Sequence, residues 1–115
     1  MMKLEYSPIV LEKLNLLKIQ LSEQFDTQTA KRIITGIIRE AGILKYHARI
    51  GIELSKTYGI DTEYRLIFSH HHYLIYRIES DKVIVVQIFH EKEDFIQTLF
   101  GISGRTQASI DYWGE

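Results

Sequence analysis

The fold is decided by residues 63–90, which read EYRLIFSHHHYLIYRIESDKVIVVQIFH. β-Branched and aromatic residues dominate this stretch, and polar residues interrupt it at His70-His71-His72 and at Ser80-Asp81-Lys82. Apolar runs separated by short polar links are typical of strands joined as hairpins. The sequence therefore predicts three consecutive strands, over Glu63 to Ser69, Tyr73 to Glu79 and Val83 to His90.

Two amphipathic helices precede these strands. Ser7-Pro8 is a typical helix start, with serine at the N-cap and proline in the first turn, and this helix should end near Phe25. Asp26 should cap a second helix that ends at Gly42. The apolar side chains of the second helix recur at helical spacing: Ala30, Ile33, Ile34, Ile37, Ile38 and Ala41. Because the link between the helices is short, we expect an αα-hairpin.

The remaining segments complete an α+β fold. Lys3 to Tyr6 is a candidate first strand, and Glu91 to Phe100 a short closing helix. Residues 43–62 show no sustained periodicity and predict a long connection, with one helical turn near Glu53 to Tyr58. The predicted order is β-α-α-β-β-β-α, with the N-terminal helical hairpin packed on an antiparallel sheet.

Length and composition limit the class of protein. The chain has 115 residues and no cysteine, so disulfides and thiolate metal sites are excluded. Residues 1–6 lack the apolar core of a signal peptide, and no apolar run approaches the ~18 residues of a membrane span, so we expect a cytoplasmic protein. We expect one domain over residues 1–101 and a C-terminal extension over residues 102–115. The aromatic residues of this extension suggest a docked segment, or a contact with a partner or with a second copy of the chain.

Alternation along the strands divides the sheet into two faces. One face is predicted to carry Arg65, Arg77 and His90. It should also carry five apolar residues, namely Ile67, Ile75, Ile84, Val86 and Ile88. A slip of one residue in the register would reverse this assignment. The αα-hairpin covers only one face, and a monomer rarely exposes so large an apolar area. We therefore expect a partner chain to bind these five residues.

Several stretches of the chain together resemble the RelE/ParE toxins, in the branch named for plasmid stabilisation. The matching stretches are His47 to Ser55, Thr62 to Ile67, Tyr73 to Ile78, Ile88 to Phe95 and Leu99 to Gly101, and the resemblance extends over about residues 2 to 101. It implies a growth-inhibiting toxin of a type II toxin–antitoxin system, neutralised by a cognate antitoxin. The implied target is either DNA gyrase, as for the ParE kind, or mRNA in the ribosome, as for the RelE kind.

Metal-free RNA cleavage needs a base, an acid and cations that hold the phosphate. Arg65 and Arg77 are candidates for gripping the phosphate, and His90 is a candidate acid or base, with Glu91 and Glu93 as further bases. Structural roles are the alternative. The arginines could pair with neighbouring glutamates across the sheet, and His90 could cap or support the helix that follows.

Two departures from the nuclease pattern favour action without cleavage. Lys92 and Phe95 lie where the resemblance implies an arginine and a tyrosine, and a phenylalanine cannot transfer a proton. The net charge of −1 is also unusual for a nucleic-acid-binding protein. We therefore expect a gyrase inhibitor, with a ribosome-dependent mRNA endonuclease and an inactive or structural domain of the same fold as alternatives.

Neither a metal nor a cofactor is expected. The three consecutive histidines at 70–72 lack an adjacent carboxylate and are better interpreted as a hairpin turn. Gly51 and Gly59 belong to no nucleotide-binding motif.

Overall fold

A computed structural model describes residues 1–101. They form an α+β fold in which helices pack against a mixed five-stranded sheet, as the fold class predicted. The elements are β1 (Lys3–Tyr6), α1 (Pro8–Gln24), α2 (Thr27–Ala41), a 3₁₀ turn (Gly42–Lys45), β2 (Ile52–Glu53), α3 (Leu54–Tyr58), β3 (Arg65–Ser69), β4 (His72–Glu79), β5 (Lys82–His90) and α4 (Phe95–Phe100). The predicted docking of the 102–115 extension lies outside the described residues.

The helical hairpin forms where its capping residues predicted it. The Ser7 hydroxyl accepts a hydrogen bond from the Val10 amide at 3.4 Å, which satisfies an amide at the start of α1. The Asp26 carboxylate accepts from the Thr29 amide at 2.6 Å and caps α2 in the same way. This hydrogen bond is the main reason that the pKa of Asp26 lies below its ordinary value.

The sheet has the strand order β1-β5-β4-β3-β2. β1 pairs with β5 in parallel, from Lys3 beside Lys82 to Tyr6 beside Val85, while the other neighbours are antiparallel. The sheet is therefore mixed and not purely antiparallel as predicted. The cause is the connection: the helical hairpin carries the chain from β1 at one edge to β2 at the other, and the meander from β2 to β5 then returns to lie parallel to β1.

The register of β3 and β4 differs from the predicted one by one residue. Only His70 and His71 form the turn, with φ of 50° and 66°, and Ser69 pairs with His72. Positive φ at both central residues is the conformation of a tight hairpin turn. Arg65 consequently lies opposite Tyr76. Arg77 follows Tyr76 in β4 and therefore lies on the other face, so the predicted common face for the two arginines is wrong.

The predicted hairpin between β4 and β5 is confirmed at its turn but altered along its length. Glu79 pairs with Lys82 and Arg77 with Ile84, as a two-residue loop requires. A bulge then shifts the register between Ile75 and Tyr76. Beyond this bulge, Ile88 pairs with Leu74, which moves Ile88 to the face opposite the predicted one.

Both faces of the sheet are covered by helices of the same chain. The first core lies between the αα-hairpin and the sheet, and includes Val10, Leu14, Ile37, Ala41, Leu44, Leu74, Tyr76, Val83, Val85 and Ile88. The second core lies on the opposite face, under α3 and α4, and comprises Leu54, Leu66, Ile75, Phe89, Phe95 and Ile96. The short elements after the hairpin therefore close the face that was expected to be bare.

Candidate interaction surface

Arg65 is bound to its own chain. Its Nη1 donates to the carbonyls of Arg49 and Gly51, both at 3.2 Å, and its Nη2 donates to Glu53 Oε1 at 3.0 Å. Only 13% of the side chain is exposed. Lys56 also contacts Glu53, and its hydrogen bond is the largest cause of the lowered pKa of that carboxyl. These contacts give Arg65 a structural role, because they fix the segment that leads into β2.

Arg77 lies on the opposite face of the sheet and pairs with Glu79. Its Nη2 lies 2.9 Å from Glu79 Oε2, two residues along the same strand, so the pairing with a glutamate forms within β4 and not across the sheet as predicted. Its Nε is buried and has no hydrogen-bond partner within the described part of the chain. Glu79 therefore already occupies one side of the guanidinium group.

His90 ends β5 and supports the turn that follows. Its Nδ1 accepts from the Lys92 amide at 3.2 Å, and its own amide donates to Glu93 Oε1 at 2.9 Å. Its ring meets the His72 ring edge-on at 5.2 Å. These contacts match the structural alternative, in which His90 stabilises the approach to α4.

The three predicted catalytic residues are not brought together. Arg77 faces away from Arg65, and His90 pairs with His72, four residues along β4 from the partner of Arg65. Four residues of strand span about 13 Å, which is too far for one phosphate to be shared. The structure therefore assembles no site from Arg65, Arg77 and His90.

The five predicted partner-binding residues do not form one surface. Ile75 is fully buried in the second core and Ile88 is 4% exposed in the first. Ile67 packs against the first core and Val86 against the second, while Ile84 is half-buried. The prediction of a bare face is wrong because it counted only the αα-hairpin as a cover and omitted α3 and α4.

An apolar groove is open at the edge of β3. It has a volume of about 380 Å³ and lies between β3 and the end of α2, with Glu40 at its rim. Its other lining residues are Ile43, Leu44, Ile50, Gly51, Ile52, Leu66, Ile67 and Phe68. Ile50 is 63% exposed and Phe68 is 51% exposed. Large apolar side chains clustered in this way mark a surface for a partner.

The backbone of β3 is also unpaired at this groove. β2 pairs only with Arg65 and Leu66, so within residues 1–101 no strand lies outside β3 beyond them. The Tyr64 carbonyl points outward and accepts from the Leu54 amide at 3.1 Å. Because main-chain groups alternate in direction along a strand, the N–H and C=O of Phe68 also point outward. The groove thus combines apolar side chains with a free strand edge.

Tyr76 holds the segment from Ala48 to Gly51, which borders this groove, and sequence reasoning missed it. The buried phenol donates to the Ala48 carbonyl at 2.7 Å and accepts from the Gly51 amide at 2.9 Å. A side chain at Gly51 would collide with the Tyr76 ring, so only glycine permits this close approach. Burial raises the pKa of Tyr76 and keeps the hydroxyl protonated as a donor. The sequence did offer a signal, because this tyrosine lies on the strand face predicted to pack against the helical hairpin, and a buried tyrosine hydroxyl usually has a hydrogen-bond partner.

A family model described as "ParE toxin of type II toxin-antitoxin system, parDE" matches residues 4–95. The chain belongs to the ParE toxin family. This membership confirms the predicted resemblance and the coarse function, a ParE-like toxin of a type II toxin–antitoxin system.

A solved structure supports the same fold. A chain of the "Chromosomal ParDE TA system from P. aeruginosa" superposes with a TM-score of 0.67 and 13% sequence identity. The match covers 78% of this chain and 96% of that chain. No curated protein matches this chain.

No helix within residues 1–101 is both long and apolar enough to cross a membrane. No group of three or more histidine, aspartate or glutamate side chains in the same range could hold a metal ion.

Proposed function

We propose that this ParE-family toxin inhibits growth by binding DNA gyrase in the bacterial cytoplasm, and that a cognate antitoxin neutralises it. The observation that carries the proposal is the family match over residues 4–95. The implied mode of action for the ParE kind is inhibition of gyrase without cleavage of RNA, so binding surfaces matter more than a catalytic centre.

The arrangement of the candidate catalytic residues supports inhibition over cleavage. Arg65 already donates to two carbonyls and to Glu53, and a phosphate would compete with these partners. Phe95, which lacks a hydroxyl, is 5% exposed in the second core. A catalytic role for Arg65, Arg77 and His90 therefore stays a prediction, and ribosome-dependent cleavage is the alternative outcome of the test below.

We further propose that the antitoxin docks at the edge of β3. A segment added beside Phe68 could pair with its outward N–H and C=O, as in other complexes formed by strand addition. The apolar side chains of the segment would fill the groove beside Ile43 and Ile50, whose exposure to water is otherwise unfavourable. Helices of the same chain cover both faces of the sheet, whereas the edge beside Phe68 is open within residues 1–101.

Two assays with purified toxin test the target. In a gyrase supercoiling assay, wild-type toxin should block supercoiling, and addition of the protein encoded beside the toxin gene should restore it. In a ribosome assay with mRNA, the toxin should leave the message intact. Cleavage of mRNA that His90→Gln abolishes would replace the proposal with the nuclease alternative. Normal growth of bacteria that express the chain alone would indicate the inactive or structural alternative.

A further inference from the structure

Positive charge is concentrated in one part of this chain. Residues 27–52 contain five lysines and arginines against Glu40 as the single acid, a net charge of +4, while the whole chain has a net charge of −1. The remainder is consequently acidic. A local excess of one sign raises the local concentration of partners of the opposite sign.

Three of these cations line a groove beside α2. The groove has a volume of about 670 Å³ and runs between α2 and the turn at His70. Lys31, Arg32 and Arg39 are exposed and lie on its helical wall, with the Thr35 hydroxyl between them. We call this feature the α2 groove.

The opposite wall of the α2 groove is held rigidly. A Cβ at Gly36 would come within 2.5 Å of His70 Cε1, so the imidazole packs directly on the α2 backbone. His70 Nδ1 lies 3.0 Å from the Ser69 hydroxyl and 3.5 Å from Glu40 Oε1. The groove is therefore formed before a ligand arrives, which lowers the entropic cost of binding.

The cations of the α2 groove are exposed, although the charge of Arg32 is one of the lesser causes that lower the pKa of Asp26. The ion pairs found within residues 1–101 involve Glu5, Glu40, Glu53, Glu79 and Glu91, and none of them includes Lys31, Arg32 or Arg39. Arginine binds a carboxylate through two parallel hydrogen bonds, which the compact ammonium group of lysine cannot do. Arg32 and Arg39 thus provide two guanidinium groups along one helix, each able to bind a carboxylate in this way.

Carboxylates limit the length of the cationic stretch. Asp26 caps the N-terminal end of α2 and Glu40 lies near its C-terminal end, and both line the α2 groove. Lys31 and Arg39 are separated by eight residues, or about 12 Å along the helix axis. A long polyanion that passed over this stretch would meet Asp26 or Glu40 and be repelled.

We propose that the α2 groove binds a short acidic segment of a partner protein, with two or three carboxylates within about 12 Å. In an extended peptide, alternate residues point the same way and are spaced ~7 Å apart. The outer two of three such carboxylates can therefore reach the adjacent Lys31 and Arg32 at one end and Arg39 at the other, with the middle one near Thr35. A nucleic-acid strand fits less well because its charges continue past both ends. This surface is distinct from the apolar β3 edge, and its use does not depend on inhibition of gyrase.

An NMR titration of the full chain tests this inference. The probe is the acetylated heptapeptide Gly-Glu-Gly-Glu-Gly-Glu-Gly, and the neutral control has glutamine in place of each glutamate. The acidic peptide should shift amide signals of α2 and of the His70 turn, and the neutral peptide should not. Arg32→Gln combined with Arg39→Gln should weaken binding by about tenfold, as expected for the loss of two exposed charge-assisted contacts.

The matched control removes two exposed cations elsewhere, with Lys18→Gln and Lys92→Gln, and should bind the peptide as the wild type does. Circular dichroism of each variant verifies folding, because all four positions are exposed. Equal binding of the two peptides, or equal losses in both double variants, would overturn the inference. Tighter binding of a hexathymidylate oligonucleotide at the same amides would also overturn it, in favour of a nucleic-acid site.

Discussion

The second face of the sheet and the outer edge of β3 are both rich in apolar side chains, yet only the first is closed. On the second face, Leu54 of α3 and Phe95 of α4 pack over Ile75, which is fully buried. At the β3 edge, no element within residues 1–101 covers Ile50 and Phe68 in this way, and both are more than half exposed. The comparison shows that a short helix is enough to bury an apolar face of a sheet. The β3 edge, which is left exposed, is a candidate surface for a partner.

The largest effect should come from removing the cover of the second face. Phe95 contacts Tyr58, Tyr73 and Phe89 through its ring. Phe95→Ala should lower the free energy of unfolding by about 3–5 kcal/mol, because it leaves a cavity in a packed core. Urea denaturation measures this change. Phe25→Ala is the control, since Phe25 is 59% exposed and should cost far less. Equal losses would contradict the assignment of α4 as a cover.

A smaller loss is expected where Tyr76 holds the segment that borders the open groove. Tyr76→Phe removes the acceptor of the Gly51 amide and the donor to the Ala48 carbonyl. Leaving these groups unpaired should cost about 1–3 kcal/mol of unfolding free energy. The same denaturation experiment on Tyr46→Phe, an exposed tyrosine, should show almost no change. A neutral Tyr76→Phe would mean that the hydroxyl does not hold this loop.

A pH effect should arise at the end of the β3–β4 hairpin. Burial is the main cause that lowers the pKa of His72 below its ordinary value of 6.5, with the charge on nearby His90 as a lesser cause. The unfolded chain therefore binds a proton more readily than the folded one as pH falls through 6.5, so stability should decrease from there toward the lowered pKa. Above 6.5 this effect is absent.

Denaturation at pH 7.5 and pH 5.5 measures this dependence. His72→Asn should reduce the difference between the two pH values, since the amide can still donate to the His70 carbonyl as Nδ1 does. His71→Asn removes an exposed histidine from the same turn and should leave most of the difference. If the His71 variant alone loses the pH dependence, burial of His72 is not its origin.

A substitution at the open edge of β3 should have the smallest effect on stability. The same substitution should have the largest effect on antitoxin binding. Ile50→Glu should change the unfolding free energy by less than about 0.5 kcal/mol, because the side chain is exposed. It should nevertheless weaken antitoxin binding by at least about 30-fold if Ile50 is an anchor of the interface. Leu16→Glu on α1 is the control, since Leu16 is also half exposed but lies away from the groove. Calorimetric titration of both variants compares them.

Local rules predicted much of the fold. The capping residues Ser7 and Asp26 placed both long helices, and the apolar runs placed the three main strands within two residues of their observed bounds. Capping and strand propensity depend on neighbours in sequence, so a sequence carries them directly.

The candidate interaction surface at the β3 edge could not be predicted, because it depends on strand register and on packing between segments distant in sequence. The histidine at position 72 reads as part of the turn but belongs to β4, and this single residue moves Arg77 to the other face. β2 has only two residues, too few to show a period, although it determines where the free edge of β3 begins. The bulge beyond Tyr76 then moved Ile88 into the first core. Each of these features is set by contacts between segments distant in sequence.

Amide hydrogen exchange of the toxin, alone and with its cognate antitoxin, tests the open edge most directly. The Phe68 amide points away from β4, and no strand of the described part of the chain lies beside it. It should therefore exchange rapidly in the free toxin and become strongly protected in the complex. Protection should extend over the segment that contains Ile50 and over residues 67–69. Protection confined to the helices, with Phe68 exchanging equally fast in both states, would contradict docking at the β3 edge.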